Sequence, residues 1–346
     1  MTKLDSYTID HEASLKDAMA QLNLAETTTL FVIDGIGRLL GTLTDGDIRR
    51  ALLKDVHLDE SVIQVAHRDF RKLTPQTDVS AIRSYREQGL REMPVLDDAG
   101  KLCRVVDLQK LKSALPIQAV IMAGGKGTRL LPLTQDIPKP LIEVGGKPII
   151  QYNLERLRDY GVHQVDISVK HLAHKIEERF GDGTELGLEV GYIHEDEPRG
   201  TLGAISELKK INQETILVMN SDLLTNVDYE DMYLRFRESG AHMLVCTIPY
   251  EVRIPYGVIE TEGNHVTALQ EKPTYTYYSN AGIYLISKSL LDYVPKVGKF
   301  NATDLIETLI EEGLSVYNYP ISSYWLDIGK HHDLEKARQD VHQIKF

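Results

Sequence analysis

The rhythm of apolar and polar positions changes once along this chain. Up to about residue 113 the apolar positions come in short clusters that repeat. Leu15, Met19 and Leu22 share one face at helical spacing, and Ile82 and Tyr85 begin a partner to that helix. Phe31-Val32-Ile33-Asp34 is echoed by Pro94-Val95-Leu96-Asp97, and Arg38-Leu39-Leu40 by Lys101-Leu102-Cys103. Thr44, Asp47 and Ile48 fall opposite Asp107, Lys110 and Leu111, at the same offset of 63 residues. Each copy is predicted to run helix, two short strands, helix. Two units that cannot cover their own apolar faces should pack on each other.

Beyond that point strands and helices alternate. Ala119 to Met122 is an unbroken apolar run, a buried strand by its length. Ile150, Leu154 and Leu157 lie on one helical face, with Pro148 near its start and Gly161 at its stop. Val165-Asp166-Ile167-Ser168-Val169 alternates as a strand, and a helix follows around Lys175 to Phe180. Strands are predicted again at Thr215 to Met219 and His242 to Ile248. Phe300 to Ile306 should open a helix, with Thr303 and Asp304 as its caps. This order predicts an α/β fold, a mostly parallel, Rossmann-like sheet with helices on both faces. Ligands of such sheets bind at the carboxyl ends of the strands. Ser113-Ala114-Leu115-Pro116 carries no periodicity, so the expected domains are 1–116 and 117–346.

Composition narrows the function classes. The formal net charge of −12 repels phosphate backbones, so nucleic acid is not an expected partner. No apolar stretch approaches the ~20 residues of a membrane helix, and Met1-Thr2-Lys3-Leu4-Asp5 is no signal region, so no membrane is expected. The two cysteines, Cys103 and Cys246, are far apart, as suits a reduced, cytoplasmic protein. A phosphorylated ligand would need a local basic pocket.

The stretch after the first strand of the second half offers one. Gly124, Gly125 and Gly127 let backbone N–H groups crowd toward one point, a geometry that suits phosphate oxygens. Arg129 and Lys139 bracket this loop with positive charge. A Walker loop needs Ser or Thr directly after Gly-Lys, and here Gly127 follows Gly125-Lys126. A dinucleotide fingerprint needs a third glycine where this chain has Leu130. Two aspartates add chemistry. Asp222 follows the apolar Val218-Met219, and Asp327 sits in Tyr324-Trp325-Leu326-Asp327-Ile328-Gly329. Each alone reads equally well as a turn or cap residue. Together they make a magnesium pair, since Mg2+ favours a couple of carboxylates plus phosphate oxygens.

The run Gly-Gly-Lys-Gly-Thr-Arg-Leu, then Pro-Leu-Thr, then Pro-Lys-Pro-Leu resembles the signature of the sugar-1-phosphate nucleotidyltransferases, whose sheet is GT-A-like. The resemblance runs from residue 117 to about 340, with its motifs in order. It implies that Ala123, Gly124, Gly125, Gly127 and Thr128 hold the nucleotide, that Arg129 and Lys139 are catalytic, and that Asp222 and Asp327 hold Mg2+. Ser221 departs from the glycine of many relatives. Gly257, Glu271, Lys272 and Asn280 are implied at the sugar site, where a carboxylate can accept from vicinal hydroxyls. His194 to Ala204 resembles the base-reading loop, which implies Glu195, Glu197, Gly200 and Thr201 at the nucleotide. Glu195 stands where relatives that use uracil or thymine nucleotides have glutamine. Guanine offers two adjacent donors, N1–H and N2–H, which suit an acceptor-only carboxylate. Mannose-1-phosphate guanylyltransferases carry a similar Glu-x-Glu-Pro-x-Gly-Thr-x-Gly, so GTP is the expected donor, with a relative that uses UTP or CTP as the alternative.

The first half resembles a tandem CBS pair, an α+β module that often binds adenine nucleotides. The resemblance rests on Gly41 to Ile48, in which Thr44 and Asp47 match a Thr-x-x-Asp element for phosphate and ribose. Asp107 and Lys110 break the pattern in the second copy, so at most one ordinary nucleotide site per pair is expected. A pair that only mediates dimerisation fits the residues as well. A CBS pair joined to a transferase resembles guanylyltransferases of nonulosonate (legionaminate) assembly, which act on glucosamine 1-phosphate, and also proteins labelled mannose-1-phosphate guanylyltransferase. The expected partners are GTP, a sugar 1-phosphate and a second copy of the chain. No repeat-built acyltransferase domain is expected after Phe346. Two other classes compete. One is a nucleotide-sensing regulator without activity, against which Arg129, Lys139, Asp222 and Asp327 all stand intact. The other is a glycosyltransferase, whose usual Asp-x-Asp is here Asn220-Ser221-Asp222.

Overall fold

A computed structural model describes residues 4–25, 27–74, 78–109, 111–344 and 346. The chain forms two compact units, Met1–Ala114 and Leu115–Phe346. The first unit carries β1 (Thr8–Asp10), α1 (Leu15–Ala25), β2 (Thr29–Ile33), β3 (Leu39–Thr44) and α2 (Asp45–Leu52). The second copy supplies α3 (Val79–Glu87), β4 (Glu92–Leu96) and β5 (Leu102–Asp107). The offset of 63 places both hairpins at matching residues. Phe31 and Leu39 of one copy share a buried cluster with Leu96 and Leu102 of the other, so the copies do cover each other.

The expected closing helix of the second copy does not form among the described residues of 108–116. Two local causes are visible. In the first copy, Thr44 and Asp47 build a capping box: Thr44 Oγ1 accepts from Asp47 N (3.3 Å) and Asp47 Oδ2 from Thr44 N (2.8 Å). In the second copy Asp107 replaces the threonine and folds an Asx turn onto Gln109 N (2.9 Å). Lys110, the counterpart of Asp47, lies outside the described residues. Pro116, which has no N–H to continue a helix, then leads into the next strand.

The second unit begins with β6 (Ile117–Met122), the strand that ends in the glycine loop. A short hairpin, β7 (Glu143–Val144) and β8 (Lys147–Pro148), leads to α4 (Ile149–Asp159). Then come β9 (Gln164–Val169), α5 (Ala173–Phe180), β10 (Glu189–His194), β11 (Thr215–Asn220), β12 (Leu223–Thr225) and α6 (Tyr229–Ser239). The chain continues through β13 (Met243–Arg253), β14 (Val258–Glu262), β15 (His265–Gln270) and β16 (Thr274–Ser287). It closes with α7 (Ala302–Glu311), β17 (Val316–Pro320), β18 (Trp325–Asp327) and α8 (His331–Asp340). The central sheet has seven strands in the order β10-β9-β6-β11-β16-β13-β17. β10, β9, β6 and β11 run parallel, and β16 runs against both of its neighbours. This is the mixed α/β, parallel-rich sheet the alternation predicts.

One face of the sheet packs Val120, Ile216, Val218 and Ile286 against Leu305 and Leu309 of α7. Another cluster gathers Leu130, Ile142, Ile149, Leu224, Ile328 and Leu334. It includes Leu130 and Ile328, the chain neighbours of Arg129 and Asp327, with Leu326 packed against it. Two sequence expectations need adjustment. α7 is capped by Asn301, whose N–H donates to Asp304 Oδ2 (2.7 Å); Asp304 serves as expected, but Thr303 does not. β13 runs beyond Ile248 because its far half pairs with β16 away from the core, as an exposed ribbon that apolar patterning does not mark.

Candidate active site

Three parallel strands deliver the central residues to one edge. β6 ends at Met122, β9 beside it ends at Val169, and β11 on its other side ends at Asn220. The loop after β6 is tied to both neighbours: Ala123 N donates to Ser168 O (2.8 Å), and Ser221 N to Met122 O (3.2 Å). Gly127 sits at φ +62°, and a Cβ there would lie 3.0 Å from both Lys139 and Thr134 side chains. The fold therefore needs glycine here twice, for its backbone and for its neighbours. Thr134 Oγ1 closes the loop by donating to Gly127 O (2.8 Å). Thr128 and Arg129 follow in a single turn of 3-10 helix.

Lys139 is only 9% exposed, and its ammonium pairs with Asp222 Oδ2. Asp222 enters β12, and β12 pairs with β18 in the register Leu223 to Asp327. Ile328 N also donates to Asp222 O (3.1 Å), so the two aspartates lie on paired segments, one position out of register. Burial pushes the Asp327 carboxyl above its ordinary range and Asp222 adds to this, while Lys139 and Arg129 pull it back. Asp327 Oδ1 is buried and has no hydrogen-bond partner. A buried, unpartnered carboxylate oxygen beside a second carboxylate fits a divalent cation. Among the described residues, no group of three or more His, Cys, Asp or Glu side chains forms a metal cage. Asp222 and Asp327 are two carboxylates, the number Mg2+ takes when substrate phosphates complete its shell. Arg129 lies along the segment after Asp327, since a Cβ at Gly329 would stand 3.4 Å from its Nη1.

Glu195 follows β10, and its carboxylate is held on both oxygens. Ser168 Oγ donates to Oε1, and Arg199 N donates to Oε2 (2.9 Å). A Cβ on Gly124 would lie 2.8 Å from Glu195 Oε1, so the carboxylate touches the glycine loop itself. Ser168 was not among the residues expected at the site. Its only sequence signal is a polar residue in a strand core, and the structure buries it completely. The rest of this loop serves mainly the fold. A Cβ at Gly200 would stand 2.5 Å from Phe300 O, and Thr201 Oγ1 accepts from Ala302 N (2.8 Å) at the start of α7. Arg199 anchors the loop through Pro295 O (3.2 Å), Lys296 O (2.8 Å) and Glu207 (2.8 Å). Glu197 is exposed.

The residues expected at a sugar site sit on the β13–β16 ribbon and the β14–β15 hairpin. A Cβ at Gly257 would lie 3.1 Å from Glu271 Oε2, so these two are adjacent. Lys272 follows at φ +45°, a left-handed turn at the root of β16. Asn280 faces the other way in function: its Oδ1 accepts from Gly282 N (2.9 Å) and Tyr284 OH (2.9 Å), bracing the bend of β16.

In the first unit, Thr44 lines a cavity of about 530 Å³ between the copies, together with His67, Arg71 and Arg91. Burial pushes the Asp47 carboxyl up, but hydrogen bonds from Thr44 and the pairing with Arg50 outweigh it and hold it below the ordinary range. Its carboxylate is thus engaged in starting α2.

Comparison with known proteins gives a family for residues in each unit. Residues 118–344 match the model of the nucleotidyl transferase family, and residues 1–54 match that of the CBS domain. The chain is 34% identical over 245 residues to a UTP–glucose-1-phosphate uridylyltransferase of Synechocystis, covering 65% of this chain and 63% of that protein. It is 30% identical over 231 residues to a mannose-1-phosphate guanylyltransferase of Mycobacterium tuberculosis, covering 65% and 64%. The match therefore spans less than two thirds of either relative's length. Among solved structures, HddC from Yersinia pseudotuberculosis superposes with a TM-score of 0.51 at 29% identity, over 65% of this chain and 99% of that one.

Proposed function

The chain belongs to the nucleotidyl transferase family, and from that premise we propose that it transfers a guanylyl group from GTP to a sugar 1-phosphate, releasing pyrophosphate. Glucosamine 1-phosphate is the favoured acceptor, for nonulosonate or other cell-surface glycan assembly, with mannose 1-phosphate second. One observation carries the reading: Lys139, Asp222, Asp327 and the glycine loop converge at the carboxyl ends of adjacent strands.

In this reaction a phosphate oxygen of the sugar 1-phosphate forms a bond to the α-phosphorus of GTP. The bond from that phosphorus to the bridging oxygen of the leaving group breaks, and pyrophosphate departs with its electron pair. The protein's task is positioning and charge neutralisation. Backbone N–H groups of the glycine loop receive the phosphates. Arg129 holds the leaving pyrophosphate, and Lys139 spans the α-phosphate and the sugar phosphate. Asp222 and Asp327 would hold Mg2+, which supplies charge stabilisation on phosphate oxygens when bound. No general base is needed, because the attacking phosphate is already ionised at neutral pH. Glu271 and the Gly257 backbone receive sugar hydroxyls, with Lys272 toward the sugar phosphate.

Guanine is favoured by the placement of Glu195. Its carboxylate rests on Gly124, beside the loop that would hold the phosphates, and presents acceptors alone. In the first unit the cavity beside Thr44 is proposed to take an adenine nucleotide that modulates turnover. The test is product identity with Mg2+, GTP, and each of glucosamine, N-acetylglucosamine, mannose and glucose 1-phosphates. Stoichiometric pyrophosphate and a GDP-sugar are expected. Release of a nucleoside diphosphate would mean glycosyl transfer instead. No product at all, with and without AMP or ATP, would favour an inactive regulator.

A further inference from the structure

We propose that Ser168 is a positioning residue for the choice of base, setting the edge that Glu195 presents. The inference rests on the guanine reading above and names a residue that reading does not use. Ser168 is fully buried near the end of β9, in register with Met122 of β6. Its carbonyl fixes Ala123 of the glycine loop, and its hydroxyl donates to Glu195 Oε1. One residue thus ties the phosphate loop and the candidate base reader to the same point of the sheet.

The donors already in place decide what that tie does. Glu195 Oε2 already accepts from Arg199 N, and a backbone N–H can only donate. With Oε1 held by Ser168, each oxygen has one fixed donor and keeps capacity for one more. The free edge is acceptor–acceptor, the complement of two adjacent donors on guanine. A Cβ on Gly124 would stand 2.8 Å from Oε1, so glycine at that position leaves the carboxylate room to stay on Ser168. A serine hydroxyl, unlike a backbone N–H, can reverse its role. Were residue 195 glutamine, Arg199 N would pin the amide oxygen on its own side. The amide nitrogen would then fall on Ser168, whose hydroxyl would accept. The free edge would become donor–acceptor, which suits uracil. Ser168 therefore serves either base and makes residue 195 the selector.

The experiment compares kcat/KM for GTP and UTP in the full chain, in Ser168→Ala, Ser168→Thr and Glu195→Gln, with melting curves to confirm folding. Ser168→Ala should lower kcat/KM for GTP about tenfold, the loss expected for a hydrogen bond to a charged group. It should leave the value for UTP within about twofold, and Ser168→Thr should restore most of the GTP preference. Glu195→Gln should shift the preference toward UTP. If Ser168→Ala lowers both nucleotides equally, the residue only supports the fold and the proposal is overturned, whatever Glu195→Gln does. If Glu195→Gln leaves the preference unchanged, the guanine reading itself fails. A wild-type chain indifferent to the base would remove both.

Discussion

The two ends of the candidate site are held in different ways. At the proposed phosphate end, Lys139 is 9% exposed and pairs with Asp222, which leads into β12, and β12 pairs with β18 at Asp327. At the proposed sugar end, Tyr256 beside Gly257 is 74% exposed and Leu269 66%, at the β14–β15 hairpin that the β13–β16 ribbon carries. A rigid end suits chemistry that depends on placing charges, and a less encumbered one suits an acceptor that must enter and leave. Changes at the first end should therefore act on turnover, and changes at the second on acceptor binding.

The largest break in that contrast comes from Lys139→Ala. It should lower kcat by about 10²–10³-fold, with a much smaller change in GTP affinity measured by calorimetry, because the cation acts where charge develops. Equal losses in both would contradict its role.

Next is Asp327→Asn, read as stability and as cation binding. The folded carboxyl is raised by burial and by Asp222, so its ionised form costs stability at neutral pH. That cost lifts as the pH falls through the raised value. Without divalent ions the variant should melt above the wild type at pH 7, and the gap should close at low pH. The variant should also bind Mn2+ more weakly by paramagnetic resonance, a readout independent of turnover.

At the other end, Glu271→Gln should raise KM for the sugar phosphate about tenfold while kcat and GTP affinity change little. A fall in kcat with unchanged KM would mean that the ribbon takes part in the chemical step.

The smallest effect is expected in the first unit. Asp47→Asn weakens a capping box, a loss of about 1 kcal/mol or less. The folded carboxyl of Asp47 is held below its ordinary value, so its contribution is present above the unfolded value of about 3.9 and disappears as the pH falls through the folded one. Calorimetric scans should show the full difference at pH 7 and a shrinking one as the pH is lowered below about 3.9.

Legibility in the sequence follows the same division. Short-range patterns predict the parallel strands, the glycine loop and the doubled hairpins, because each depends on residues close together in the chain. The pairing of Asp222 with Asp327 joins residues far apart in sequence, and motif resemblance alone suggests it. Ser168 could not be singled out, since a serine in an alternating strand looks like any outward polar position until the strand proves buried on both faces. Thr201 and Gly200 show the converse. Their motif reads as nucleotide contact, and their side-chain space is spent holding the start of α7. Thr44 and Asp47 are similar, because one spacing satisfies both a ligand motif and a helix cap.

The most direct measurement is the initial rate of pyrophosphate release with GTP against UTP, at equal low concentration, using whichever sugar 1-phosphate turns over fastest. The account predicts at least about a tenfold preference for GTP, from the acceptor-only edge of Glu195. Turnover with UTP equal to or faster than with GTP would contradict it.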